Sequence, residues 1–217
     1  MSFVPDATAY TSDELIADRL VHLIGVSLGF VGALALLDTA TKAGARALLA
    51  CLVYAASLLA MLVCSAAYHL ARSSVRRGIL RQLDHAAIFL LIAGTYTPFT
   101  ACRLQGGWAV GMTIAVWGGA LAGVAVKLLS PHRLIGVSTA IYLALGWIAL
   151  VGVKPFVAVL DPSTLVLLAL GGVVYSLGAP IHHWRSLRYH NAIWHAMVLV
   201  AAACHYAAIV HGVVLAS

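Results

Sequence analysis

Three histidines in one apolar stretch, YHNAIWHAMVLVAAACHY over residues 189–206, are the first candidates for chemistry: His190, His195 and His205. Ionisable side chains inside an apolar span are costly and mark a site more often than a packing accident. Two further stretches set polar groups among apolar neighbours: CSAAYHL carries Ser65 and His69, and LDHAAIF carries Asp84 and His85. Ser65 and His69 are four residues apart, so they share one helix face. An imidazole offers a ring nitrogen to a metal, and a serine hydroxyl bonds a ligand or a bound water. A carboxylate such as Asp84 orients a histidine or accepts a proton from water. Histidines plus one water form the pattern of a catalytic zinc site, which keeps one position open and lowers the pKa of that water towards about 7. Iron and copper also take imidazole, so zinc is favoured by the donor types rather than required by them.

Each residue also has a plainer role. Asp84 suits the N-cap of a span. His85, His182, His183 and His190 suit interfacial positions, and His22, His132 and His211 suit single polar positions near span ends. His205 lies ten residues beyond His195. That is about 15 Å at roughly 1.5 Å per residue, too far to share one metal in a continuous helix. His69 and His195 are the hardest to explain without a ligand role.

The elements that must position these groups are membrane spans. Of 217 residues, 63% are hydrophobic and 9% charged, and the mean hydropathy is +1.00. Soluble domains carry about 25% charged residues. Seven apolar segments, each near the roughly 20 residues a crossing needs, cover residues 20–37, 47–70, 84–102, 108–129, 134–153, 163–181 and 192–215. The fold class is therefore all-α, a polytopic seven-transmembrane helix bundle (residues 20–217). Residues 1–19 form a short N-terminal segment, with Thr11-Ser12-Asp13-Glu14 as a capping box opening a short amphipathic helix. Rich in acid and without a basic n-region, that segment does not read as a cleavable signal peptide.

Basic residues set the orientation. Arg19, Arg72, Arg76, Arg77, Arg81, Lys127, Arg133, Arg185 and Arg188 fall on one side, against Lys42, Arg46, Arg103 and Lys154 on the other. The N-terminus is thus expected in the cytoplasm and the C-terminus outside, in the plasma (inner) membrane. With that topology, Ser65 and His69 at the end of span two, Asp84 at the start of span three, and His190, Asn191 and His195 at the start of span seven reach one depth on one face. The net charge of +6 resides in short connections, which excludes a nucleic-acid reading. Four cysteines without CxxC spacing read as packing residues. Gly25–Gly29 and Gly119–Gly123 are GxxxG pairs for close helix packing. Pro98 is expected to kink span three, with Thr95 or Thr97 satisfying the freed backbone.

SAAYH, LDHAAIFLLIAGTYTPF, GGVVYSLG and NAIWHAMVLVAAACH resemble the haemolysin III family of seven-span bacterial membrane proteins. That family is similar to the progestin and adipoQ receptors and, more remotely, to alkaline ceramidases. The resemblance extends from about Asp13 onward. It implies a zinc ion near the cytoplasmic face, held by the histidine of an S-x3-H motif and two histidines of an H-x3-H motif, with an aspartate on the zinc-bound water. On this sequence His69 and His195 become ligands, with Ser65 and Asp84 beside the water. The first histidine of the last motif does not carry over. Asn191 stands there, and His190 lies one residue earlier, a rotation of about 100° on a regular helix. Either His190 reaches the metal from a distorted helix start, or Asn191, Asp84 or a second water fills the place, or zinc is held weakly or not at all.

Three functions follow. The first is a zinc-dependent hydrolase of a lipid amide or ester, with Asp84 as general base and Ser65 at the oxyanion. The second is a non-catalytic, zinc-bound sensor or regulator of membrane lipid state. The third is a pore-forming cytolysin. An inserted bundle without an amphipathic pore-lining segment argues against the cytolysin. Ser65 and Asp84 favour the hydrolase, and the Asn191 departure favours the regulator. The sequence leans to the hydrolase with membrane lipid as partner, and identifies neither the lipid nor an oligomeric state.

Overall fold

A computed structural model describes residues 10–71, 73–129 and 138–216. Asp6, Arg72, His132, Arg133 and the start of the expected fifth span at Leu134 lie outside the described residues. Those residues form helices and no strands: α1 (Ser12–Lys42), α2 (Ala45–Leu70), α3 (Ser74–Cys102), α4 (Gly106–Leu129), α5 (Ser138–Gly146), α6 (Val153–Val159), α7 (Pro162–His183) and α8 (His190–Ile209). Six of them, α1–α4, α7 and α8, are long and apolar enough to cross a membrane. A seventh crossing exists if α5, its 3-10 extension Trp147–Leu150, and α6 are taken as one span bent by 56°. The expected helical bundle is present, but its fifth span is broken.

Local chemistry accounts for the element boundaries. Thr11 caps α1: its hydroxyl accepts the Glu14 N–H at 3.3 Å, and the Glu14 carboxylate accepts the Thr11 N–H at 2.9 Å. The helix then runs without a break through Arg19 and Leu20, so the helical start at the capping box leads straight into the first span. α3 starts at Ser74 with Ser73 as its N-cap, ten residues before the apolar segment. Asp84 therefore lies inside a helix and does not cap one. The bend in the fifth span falls at Gly146 and Gly152, with Pro155 in the next turn, residues that weaken or interrupt helical bonding. Tyr96 of α3 takes up the loosened backbone: its hydroxyl donates to the Gly146 carbonyl at 2.6 Å and accepts the Ala149 N–H at 3.0 Å.

Pro98 sits within α3. The nearby Thr95 and Thr97 hydroxyls donate to the Leu91 and Ala93 carbonyls, both at 2.8 Å. The carbonyl that Pro98 deprives of its partner is that of Gly94, so neither threonine supplies the expected rescue. Lys127, counted among the loop cations, is buried and donates to Ser138 Oγ at 2.5 Å. At the opposite end of the bundle Arg103 donates to the Val159 carbonyl at 2.9 Å and to the Ala216 carbonyl at 3.1 Å, tying three chain segments together.

Glycines bring the helices close. A Cβ at Gly25 would collide with Leu199 of α8, one at Gly29 with Leu62 of α2, and one at Gly123 with the ring of Phe89. Phe89 is fully buried and has nowhere to move. Gly123→Ala is therefore expected to cost about 1–3 kcal/mol through overpacking, read as a lower unfolding temperature in detergent. Gly111→Ala, inside α4 and meeting open space, should leave that temperature unlowered or raise it slightly, since alanine favours a helix interior.

Candidate metal centre

The first helix contributes more than the sequence suggested. Asp18 and His22 lie one turn apart on α1, both buried, and face His69 at the end of α2 and His195 in the second turn of α8. These four residues each offer a ligand atom within 4.8 Å of the others. The three rings pack together: His22–His69 centroids are 4.8 Å apart, His22–His195 4.3 Å and His69–His195 4.5 Å.

Asp18 sets the tautomer of all three histidines. His195 Nδ1–H donates to Asp18 Oδ1 at 2.7 Å, His69 Nδ1 lies 3.0 Å from Oδ2, and His22 Nδ1–H donates to the Asp18 backbone carbonyl at 2.8 Å. Those oxygens only accept, so in a neutral ring the proton belongs on Nδ1 and Nε2 is the nitrogen left for a metal. A carboxylate or carbonyl on the far nitrogen of a ligating histidine is the usual support of a metal site.

Ser65 links this group to Asp84. Its hydroxyl is 3.3 Å from His22 Nε2, and the buried Asp84 carboxylate lies near it. Three imidazoles held from one carboxylate-bearing residue, with a second buried carboxylate close by, are a donor set that fits a divalent ion.

The remaining candidates stand apart. His190 is buried, but its Nδ1–H donates to the Leu187 carbonyl at 3.2 Å and its Nε2 is 3.4 Å from the Tyr10 hydroxyl. It does not join the four-residue group, and the Asn191 Nδ2–H donates to Tyr10 at 3.1 Å. The third imidazole beside His69 and His195 is His22. His205 donates to the Leu168 carbonyl at 3.3 Å, away from the cluster as its spacing required. Asp18 and His22 had been read as a tail acid and a lone span-end histidine. Their signal was Glu14, Asp18 and His22 at four-residue intervals, one polar face leading into an apolar helix.

The entry of α8 is held from α1. Tyr189, the N-cap of α8, has φ 62°, the one left-handed non-glycine among the described residues. Its N–H donates to Glu14 Oε1 at 2.9 Å, which offsets a conformation side chains disfavour. A cleft opens here, lined by Glu14, Asp18, His69, Arg77, His190 and Asn191 among others.

A helical bundle of membrane-crossing segments with a buried Asp/His group defines a polytopic membrane protein with a candidate metal centre. The chain belongs to the haemolysin-III-related family, whose model matches residues 16–206. It is similar to the Hemolysin-3 homolog of Bacillus subtilis (strain 168), at 35% identity over 91% of this chain and 93% of that protein. Hemolysin-3 of Bacillus cereus is 36% identical over 90% of each chain. The human monocyte to macrophage differentiation factor is 29% identical over 72% of this chain and 67% of its own length.

Elemental analysis of purified protein separates the candidate ligands. His22→Ala, His69→Ala and His195→Ala should each abolish stoichiometric metal, whereas His190→Ala and Asn191→Ala should retain it.

Proposed function

We propose that the chain is a zinc-dependent hydrolase of a lipid amide or ester, working at the arginine-rich end of the bundle, which faces the cytoplasm in the plasma membrane. The observation that carries the reading is the Asp18 carboxylate, which takes the His195 Nδ1–H on one oxygen and lies 3.0 Å from His69 Nδ1 with the other. With Asp18 orienting the rings, His22, His69 and His195 would hold the ion, the three-ligand set of catalytic sites. Zinc bound there supplies Lewis acidity, polarising a carbonyl and acidifying a coordinated water.

The protein's own groups do the rest. Asp84, buried against Ser65, takes the proton from the attacking water as general base. Ser65 then donates to the carbonyl oxygen as it gains negative charge. The apolar helices around the cluster suit a substrate anchored by acyl chains.

The regulator reading has one observation in its favour. Asp18 itself belongs to the four-residue donor set, and an Asp18 oxygen as fourth ligand would close the site and leave a structural tie between α1, α2 and α8. The name Hemolysin-3 of the Bacillus cereus relative suggests cytolysis, but a bundle of long apolar helices supports permanent insertion better.

Purified protein supplied with lipid amides and esters tests the hydrolase directly. Asp84→Asn should keep its zinc and lose about 10²–10⁴-fold in turnover, and chelation should remove metal and activity together. Hydrolysis that survives both treatments would sink the proposal. Zinc-replete protein with no hydrolysis of any such lipid would leave the regulator in its place.

A further inference from the structure

The donors of the candidate metal centre are enclosed by three helices, so an ion bound there needs a way in. Two of the four, Asp18 and His69, line the cleft at the start of α8. His69 is also the most exposed of the group, with 15% of its side chain accessible against 5% for His22. Glu14 lines the same cleft, which sets two carboxylates against the one guanidinium of Arg77 and favours a cation over an anion. The cleft holds about 30 Å³, room for roughly one or two waters. An ion that still carries its hydration shell does not pass until the walls part. Tyr10 joins those walls: its hydroxyl donates to His190 Nε2 at 3.4 Å and accepts the Asn191 Nδ2–H at 3.1 Å. Both contacts are longer than the Tyr189–Glu14 bond at 2.9 Å, so they are the first to yield.

We propose that this cleft is the route by which the metal ion enters and leaves, with the Tyr10 hydroxyl as the latch that closes it. Glu14 lies one turn before Asp18 on α1, beside the exposed Ser12 and Asp13, and draws the cation to the mouth. The ion then meets Asp18 and His69, and reaches His195 and the least exposed ring, His22, last. Arg77 opposes its approach. His190 and Asn191 hold the latch and are not ligands. A latch changes how often the route opens, in both directions alike, and leaves the affinity of the site untouched. The inference rests on the metal centre and not on hydrolysis.

Zinc exchange by the full-length protein in detergent tests the route. Uptake is followed after zinc chloride is added to metal-free protein, and loss after a colorimetric chelator is added to zinc-loaded protein. Tyr10→Phe and Asn191→Leu should each speed uptake and loss together, by about two- to tenfold for one lost hydrogen bond, at unchanged affinity. Glu14→Gln keeps an acceptor oxygen for the Tyr189 and Thr11 N–H groups. It should slow uptake severalfold at low salt and hardly at all in about 0.5 M sodium chloride, where the charge is screened. Arg77→Gln should speed uptake with the same salt dependence. A merely structural defect would not vanish with salt. Exchange rates that none of these variants changes would overturn the route and leave the centre standing. So would an affinity shifted by Tyr10→Phe with one of the two rates unmoved, the mark of a residue that supports the ligands. Protein that takes up no zinc would overturn the centre and the route together. The expected exchange without hydrolysis of any lipid would keep the route and sink the hydrolase alone.

Discussion

A single carboxylate, that of Asp18, touches imidazoles from three helices, and the arrangement of this end of the bundle depends on it. Its two oxygens bind His69 on α2 and His195 on α8, while its backbone carbonyl fixes His22 on α1. In a medium without water, an unpartnered charge or ring nitrogen is costly. Asp18 therefore holds the group together, and displacing it leaves all three rings without their Nδ1 partner. The neighbouring elements hold Asp18 in position. The Thr11–Glu14 box starts the helix that carries it, Glu14 also captures Tyr189 at the start of α8, and Gly25 and Gly29 admit Leu199 and Leu62.

Polar groups radiate from that centre in order of chemical role. Next to the rings is Ser65, then Asp84, a carboxylate inside α3 rather than at its end. The cleft at the start of α8 adds Glu14, Arg77, His190 and Asn191 to the same polar end of the bundle.

Much of this was legible in the chain itself. Hydropathy alone gives the spans, and His69 and His195 stand out because a histidine deep in an apolar run has no cheap explanation. Asp18 and His22 escaped notice for a physical reason. They sit where the helix leaves its polar start, so each looks like a solvated residue, and their burial comes from α2 and α8 packing over them. His190 misled in the opposite sense, because proximity in sequence to His195 says little about direction at a helix start preceded by a left-handed residue. The fifth span was marked as one segment because its residues are apolar throughout. Its bend is set by two glycines and a proline, and by a tyrosine hydroxyl fifty residues away that receives the loosened backbone.

The contact between Asp18 and His195 joins the first membrane helix to the last across 177 positions. Synthesis at about 5–20 residues per second makes the chain wait roughly 10–35 s between those two residues. Throughout that interval Asp18 and His22 have entered the membrane without their distant partner. Completion of the centre therefore waits for α8, and until it arrives Asp18 has only the partners that α1 and α2 supply.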